Sequence, residues 1–245
     1  IVAYREPERP ASAKGLGQIL SDAALVLTNW KFVLMIVIYS GFWLLYFQWF
    51  NTLLWYMVAH VNMTPADRLL TSIARFFGSS KELKFDVAYV TSVNAGTIIL
   101  LQVVVSRIVK NLRALPTMIG GIIIGTAGFV LLSISGNAWV FLLAMVVFSI
   151  GEMTCHPKYF SYVGQIAPKD KVAVYMGYSF LYGIIGSLVG SNLGAVLYKQ
   201  IATGMNRPRL LWAIFSAIGV LTVIGLLIYD RYLSPERSET EHAGS

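Results

Sequence analysis

One acidic side chain, Glu152, lies within a long apolar stretch of the sequence. Ser149, His156 and Tyr159 stand at i−3, i+4 and i+7 from it, which would place all four on one helix face. A carboxylate moved from water into a medium of low dielectric constant binds a proton more readily, whereas a nearby ammonium group would keep it ionised. Either property would serve movement of protons or solutes across a membrane. The structural alternatives are an ion pair for Glu152 and an interfacial position for His156.

Further polar side chains recur at helical spacing in two other apolar stretches. They are Gln48, Asn51, Thr52 and Trp55 in one stretch and Thr91, Asn94 and Thr97 in the other. Because polar groups are costly in contact with lipid, each stripe should face protein or a water-filled cavity. Asn and Gln also hydrogen-bond between helices, so spacing alone leaves open whether these residues line a cavity or join helices. Tyr182 shares a further polar face with Tyr175 and Ser179.

The composition indicates that lipid is the solvent for most of the chain. Of 245 residues, 56% are hydrophobic and 13% are charged, against about 25% charged in a soluble domain. A helix needs about 20 apolar residues to cross a membrane. Six segments meet this requirement and predict an all-α membrane protein with six transmembrane helices: 32–59, 87–108, 116–135, 138–166, 172–198 and 208–232.

The segments outside the spans divide the chain into three parts. We expect residues 1–31 to form a cytoplasmic linker with an amphipathic lead-in helix, 32–232 the six-span bundle, and 233–245 a disordered cytoplasmic tail. After the first span, Thr64, Pro65 and Asp67 give a helix start signal. The apolar positions that follow favour a helix on the membrane surface over a lid. The start at Ile1 favours a piece of a longer polypeptide or a processed product.

The distribution of charge predicts the orientation in the membrane. The net charge of +7 comes from 19 Lys and Arg against 12 Asp and Glu. Twelve of the basic residues fall on the side that holds the amino terminus and seven on the other. The positive-inside rule therefore predicts a multi-pass protein of the cell (inner) membrane with both termini in the cytoplasm. The basic residues are spread over loops without an aromatic stacking platform, so we expect no nucleic-acid partner.

The sequence offers little to support catalysis or metal binding. It contains one cysteine, Cys155, and three histidines, His60, His156 and His242. No zinc-ligand spacing, nucleotide-binding loop or dinucleotide fingerprint is present in it. We therefore expect no metal and no cofactor, and we do not predict an enzyme.

Several short motifs stand at the spacing of a known family's signatures. The longest comprises Gly151, Glu152, Pro157, Ala167, Pro168 and Lys169. It resembles the tenth-helix signature of the proton-dependent oligopeptide transporter family, within the major facilitator superfamily. A shorter likeness to the family's seventh helix comprises Phe42, Trp43 and Gln48. Another, to its eighth helix, comprises Ser92 and Asn94. The loop SRIVKNLR is similar to a degenerate form of the superfamily's basic turn. Phe47 and Ser179 depart from the pattern, because the family usually has an acid and a Trp there.

The resemblance implies that the chain is the carboxyl-terminal six-helix half of a twelve-helix major facilitator fold. It also implies alternating access, use of the proton gradient, and contact of Glu152 and Asn94 with charged or amide groups of the substrate. The residue patterns add Gln48, Asn51 and His156 as candidates for substrate or proton binding. Two aromatic candidates complete the set, Tyr182 and Trp55.

These observations predict a proton-coupled secondary transporter of a small solute such as a peptide. Its partners would be protons, the solute, the lipid bilayer, and an amino-terminal six-helix half or a second copy, since six helices form one wall of a transport path. A multidrug or lipid exporter of the same superfamily is an alternative, because Trp43, Trp55 and Tyr182 would suit a bulky apolar solute. A second alternative is a non-transporting scaffold or receptor in which the polar stripes only join helices.

Overall fold

The computed structural model describes residues 24–234, and this part of the chain is almost entirely helical. Its helices are α1 (Trp30–Phe50), α2 (Thr52–His60), α3 (Thr64–Phe76), α4 (Ala88–Val109), α5 (Ala114–Ile134), α6 (Ala138–Ile166), α7 (Val172–Ser179), α8 (Leu181–Leu197), a π-helix (Tyr198–Gly204) and α9 (Pro208–Tyr232). Residues 24–28 are also helical. Most of the predicted lead-in helix and nearly all of the predicted tail lie outside the described residues.

Six helical segments of the described chain are long and apolar enough to cross a membrane. They are α1, α4, α5, α6, the segment from Val172 to Gly204, and α9. The predicted all-α fold class with six spans is therefore confirmed. Two of the spans begin next to an Asn whose side chain caps the helix. Asn137, for example, accepts a hydrogen bond from the Trp139 backbone N–H at 2.8 Å and begins α6.

Two of the predicted spans are interrupted. The first was expected to be continuous over 32–59, but α1 ends at Phe50 and α2 begins at Thr52. Asn51 lies between them with φ −122° and ψ −84°, outside the helical region. Its amide donates to Ser191 Oγ at 3.2 Å, so a contact with α8 holds the side chain at the break. The fifth span likewise changes from α7 to α8 at Phe180 and ends in the π-helix.

Glycines allow the helices of the bundle to approach closely. Gly151 of α6 faces Gly121 and Gly125 of α5, and a Cβ at position 151 would lie 2.6 Å from the Gly121 carbonyl oxygen. A similar contact joins α8 to α1, where a Cβ at Gly190 would lie 3.0 Å from the Leu44 carbonyl oxygen. Helix packing is therefore the role of these repeated glycines, as their four-residue spacing predicts.

The remaining contacts place α4 and α8 at the margins of the bundle. α9 packs against α5 and α1, α8 packs against α1, and α4 packs against α6. The outer sides of α4 and α8 expose large apolar residues, which include Ile99, Leu100, Ile184 and Leu188. The bundle interior is filled mainly by aromatic and aliphatic side chains. Lipid or another membrane helix can cover the apolar sides of α4 and α8.

Candidate functional site

Asn94 joins Ser149 and Glu152 across the contact between α4 and α6. Its amide donates to Ser149 Oγ at 2.9 Å and to Glu152 Oε2 at 3.1 Å. Ser149 in turn donates to the carbonyl of Met145, one turn earlier on α6. The stripes that the sequence indicates on two separate helices thus meet at one carboxylate. The amide N–H groups of Asn94 satisfy one oxygen of Glu152 and leave the rest of its accepting capacity open.

Glu152 has no cationic partner within residues 24–234. Asn94 is the hydrogen-bond donor to its carboxylate there, and no Lys or Arg of this part of the chain lies against it. The side chain is partly exposed on the surface of the bundle. A structural ion pair within this part of the chain is therefore not the arrangement found. The carboxylate can instead contact a solute, a proton or a group of another protein segment.

The cavity directly behind Asn94 and Ser149 is small. Its volume is about 10 Å³, and it is bordered by apolar side chains that include Val90 and Phe148. A water molecule needs about this much space, so at most one could fit there. Within the described residues, the open side of the carboxylate therefore faces the surface of the bundle and not this small cavity.

An aromatic surface lies beside Glu152 along α1. We call it the aromatic wall, formed by the partly exposed side chains of Trp43, Tyr46, Phe47 and Phe50 at helical spacing. The Trp43 and Tyr46 ring centroids are 4.5 Å apart, and those of Tyr46 and Phe50 are 5.0 Å apart. The Tyr46 ring centroid lies 6.3 Å from that of Phe148, and Trp43 contacts His156, so the wall packs against α6 at the positions four residues before and after Glu152. The site thus combines one carboxylate with an extended aromatic face.

His156 lies at the edge of the aromatic wall, one helical turn after Glu152. Its Nδ1 is 3.5 Å from the Tyr39 hydroxyl, and its ring centroid is 5.2 Å from that of Trp43. Among the described residues no hydrogen bond joins the imidazole to the carboxylate. Tyr182, also predicted as a site residue, is buried behind the wall with its ring centroid 4.7 Å from that of Trp43. It supports the wall and does not form its exposed surface.

Gln48 and Asn51 lie at the contact with α8. The buried Gln48 amide donates to the carbonyls of Leu44 at 2.8 Å and Gly190 at 2.9 Å, and its Oε1 accepts from Thr52 at 2.7 Å. These hydrogen bonds use both the nitrogen and the oxygen of the amide. Gln48 therefore joins helices, as one of the two alternatives from the sequence predicts, and does not line a cavity of the described residues. Asn51 also contacts α8, through its hydrogen bond to Ser191.

Trp55 lies apart from the other predicted site residues. It is half exposed, and its ring packs against Tyr198 with a centroid distance of 5.5 Å. The Tyr198 hydroxyl donates to the Trp55 carbonyl at 3.2 Å. The predicted stripe from Gln48 to Trp55 thus divides between a buried helix contact and an exposed surface on α2. Of this stripe, Gln48 lies in α1, the helix that carries the aromatic wall.

Lys158 is a buried cation that the sequence pattern did not single out. Its Nζ donates to the carbonyls of Leu112 at 2.7 Å and Lys110 at 3.3 Å, in the turn between α4 and α5. A helix leaves its last carbonyls without intrahelical partners, and a cation stabilises that end. The sequence did contain a sign of this role, because Lys158 follows Pro157 inside a predicted span that has few other charged residues. Lys158 therefore fixes α6 to the end of α4.

Comparison with known proteins identifies the family. The sequence profile of the Major Facilitator Superfamily matches residues 2–191 and 69–244. The chain belongs to the Major Facilitator Superfamily. It is 28% identical over 220 residues to YttB, an uncharacterised MFS-type transporter of Bacillus subtilis (strain 168). That alignment covers 87% of this chain and 49% of YttB, so the chain spans about half the length of the curated relative it matches.

Membership of the Major Facilitator Superfamily confirms two expectations from the sequence. The superfamily consists of transport proteins, so this chain belongs to a transport family and not to a family of enzymes. Together with the six apolar helices, it also confirms a multi-pass membrane protein.

Proposed function

We propose that this chain is one six-helix half of a proton-coupled secondary transporter that moves a small solute by alternating access. The observation that carries the proposal is the Glu152 carboxylate, which lies in an apolar span beside a partly exposed aromatic wall and has no cationic partner within residues 24–234. Intramembrane carboxylates are costly and typically mark proton or solute pathways. The superfamily membership supports transport as the activity of the whole protein.

Competition at one carboxylate would couple the proton to the solute. When Glu152 is ionised, it accepts a hydrogen bond from Asn94 and can attract a cationic group. When it is protonated, its charge is lost and its hydroxyl needs an acceptor. A proton and a cationic group thus favour different states of the same site, and each shifts the conformational equilibrium by its difference in affinity for the two states. His156, one helical turn after Glu152, would be a second group able to bind a proton beside the wall.

The other wall of the transport path would come from a second six-helix unit. The chain spans about half of YttB, and α4 and α8 leave apolar sides uncovered at the margins of the bundle. Substrate sites of such transporters lie near the membrane midplane where two repeats meet. We infer that the partner is an amino-terminal half of the same transporter or a second copy of this chain. Glu152 would then face the space between the two units.

A peptide is the first candidate for the solute. The tenth-helix motif around Gly151 and Glu152 supports a likeness to the proton-dependent oligopeptide transporter family. The carboxylate would bind the amino group of a peptide, but a peptide also carries a carboxylate that needs a cation. Basic side chains of the described chain lie at or near the span ends or in the segments between spans, except Lys158, which is bound to carbonyls. The second unit would have to supply that cation.

A cationic solute with an aromatic or apolar body is the second candidate. The aromatic wall offers apolar area and ring faces to such a solute, and Glu152 offers the counter-charge. This combination favours the exporter alternative, because the described residues supply both the apolar surface and the counter-charge. A peptide would need a further cation from the second unit. Phe47, which extends the wall, stands where the oligopeptide family usually has an acid.

The orientation is also proposed from charge. Six spans return the chain to the side on which it began, so residues 24 and 234 lie on the same side of the membrane. The positive-inside rule places that side in the cytoplasm of a cell-membrane protein. The connection between α2 and α4, which contains α3, would then lie outside. Reporter fusions at residue 234 and within 78–81 should give opposite signals.

The decisive experiment replaces Glu152 in the complete transporter reconstituted in vesicles. With Glu152→Gln we expect uptake driven by a proton gradient to be abolished while solute exchange is partly retained, and Glu152→Asp should retain some coupling. Asp170→Asn, at an exposed loop position, is the matched control. Undiminished gradient-driven transport by Glu152→Gln would end the proposal.

Thermal unfolding with added solutes distinguishes the candidates. Stabilisation by dipeptides favours a peptide transporter, and stabilisation by hydrophobic cationic dyes favours an exporter. If Asn94 and Glu152 variants only lose folding yield, and neither solute class changes the unfolding temperature, the scaffold alternative is supported.

A further inference from the structure

α3 exposes one apolar side outside the spans. Leu69, Ile73 and Phe76 lie at i, i+4 and i+7 on this helix, and Phe77 follows at its end. The exposed fractions of these side chains are 47%, 46%, 85% and 80%. A contiguous exposed patch with two nearly free aromatic rings is unusual for a surface in water and indicates contact with another phase or molecule. We call these four residues the apolar side of α3.

α3 is held at the level where the spans end. It begins at Thr64, shortly after α2 ends at His60. Ala66, in its first turn, is buried, and the helix packs against α6. Just before it, Asn62 pairs with Asn137, the residue that caps the start of α6. These contacts place α3 beside the beginning of α6, at one end of a candidate membrane span.

The opposite side of α3 is fixed by hydrogen bonds to the segment that leads into α4. Asp67 Oδ1 accepts from the Phe85 backbone N–H at 2.6 Å. Thr71 Oγ1 accepts from the Leu83 N–H at 3.0 Å and donates to the Leu83 carbonyl at 3.2 Å. Residues 83–85 therefore cover the polar side of the helix. The segment bound there leaves the apolar side exposed, most of all at Phe76 and Phe77.

The polar side carries an excess of positive charge. Arg68, Arg75 and Lys84 line a cleft of about 400 Å³ together with Asp67 and Glu82. Three basic residues against two acidic ones leave the lining of the cleft with a small positive formal charge. An amphipathic helix with Phe and Leu on one side and basic residues on the other is typical of helices that lie in the interface of a membrane with anionic lipids.

We propose that α3 is an interfacial anchor that binds anionic phospholipid. Its apolar side enters the leaflet at the boundary of headgroups and acyl chains, and Arg68, Arg75 and Lys84 bind lipid phosphate groups. Under the orientation proposed above, this is the leaflet on the side opposite to the termini. Because α4 begins at Ala88, directly after the bound segment, the anchor would also fix the start of the helix that carries Asn94.

Spin labels on the two sides of α3 test the insertion. Phe76→Cys lies on the apolar side, and Thr64→Cys, an exposed residue that lines the cleft, is the matched control. Cys155 is buried, and the complete protein without an engineered cysteine gives the background. In bilayers, we expect the label at 76 to be more accessible to oxygen than to a water-soluble nickel chelate, with the reverse order at 64. Equal nickel accessibility at both sites, or exclusion of both reagents at 76, would overturn the proposal.

Lipid composition tests the anionic part. The complete protein should unfold at a higher temperature in phosphatidylcholine bilayers that contain phosphatidylglycerol than in phosphatidylcholine alone. The double variant R68Q/R75Q should lose this increment, while K199Q/R207Q, which removes two exposed basic residues on the same side of the membrane, should keep it. Inorganic phosphate should not reproduce the effect. An unchanged increment in R68Q/R75Q, or an equal effect of free phosphate, would contradict lipid binding by α3.

Discussion

Gly151→Ala should destabilise the protein because it separates α5 from α6. A Cβ at position 151 would lie 2.6 Å from the Gly121 carbonyl oxygen, 2.7 Å from Gly125 Cα, and against the Gly125 nitrogen. These are backbone atoms, so rotation of a side chain cannot relieve the contacts. Overpacking of this kind costs about 1–3 kcal/mol. It opposes a gain of up to about 1 kcal/mol from replacing glycine by alanine within a helix.

Gly120→Ala is the matched control for this effect. A Cβ at position 120 would have no atom within 4 Å, so only the helix-propensity gain remains. The two variants should differ by about 2 kcal/mol in unfolding free energy, or about 4–8 °C in unfolding temperature for a chain of this size. Thermal unfolding in detergent, followed by size-exclusion chromatography of the remaining folded protein, measures the difference. Equal unfolding temperatures would refute the close approach of α5 and α6.

Substitutions elsewhere separate helix packing from solute binding. Lys158→Met should leave the Leu112 carbonyl without its charged donor and cost about 1–3 kcal/mol, whereas Lys169→Met at an exposed position should cost little in thermal unfolding. Gln48→Leu should lower the unfolding temperature but leave the KM for transport unchanged, because Gln48 joins helices. A higher KM at an unchanged unfolding temperature would instead show that Gln48 lines the solute cavity. Trp55→Ala should change neither quantity, and a loss of solute affinity in uptake assays would place Trp55 in the transport path.

The six-span fold could be predicted because the signal is local. A span needs only a run of about 20 apolar residues, and the sequence places its charges between such runs. The breaks in the first and fifth spans could not be predicted in the same way. The departure of Asn51 from helical geometry is accompanied by a hydrogen bond to Ser191, which is distant in the sequence and reaches it only through packing of α1 against α8.

The break at Asn51 also explains why one stripe of candidate residues divides. A helical spacing rule assumes one continuous helix, and it placed Gln48 and Trp55 on the same face. Once the chain leaves helical geometry between them, the direction of Trp55 is no longer set by α1. Asn94 and Glu152 lie in unbroken helices, so their stripes remain valid. That these stripes meet depends on the packing of α4 against α6, which neither stripe encodes by itself.

The contacts around Glu152 indicate where motion during transport should occur. Gly151 holds α6 against α5 by backbone contact, and Lys158 binds α6 to the turn that joins α4 to α5. Asn94 adds a third connection, directly to the carboxylate. Separating these helices would break polar and backbone contacts inside the membrane, where unsatisfied groups are costly. We therefore expect α4, α5 and α6 to move as one body. Under the proposed function, access would alternate by rocking of this bundle against a second unit. A proton or solute at Glu152 would then act on the boundary that the carboxylate is proposed to face.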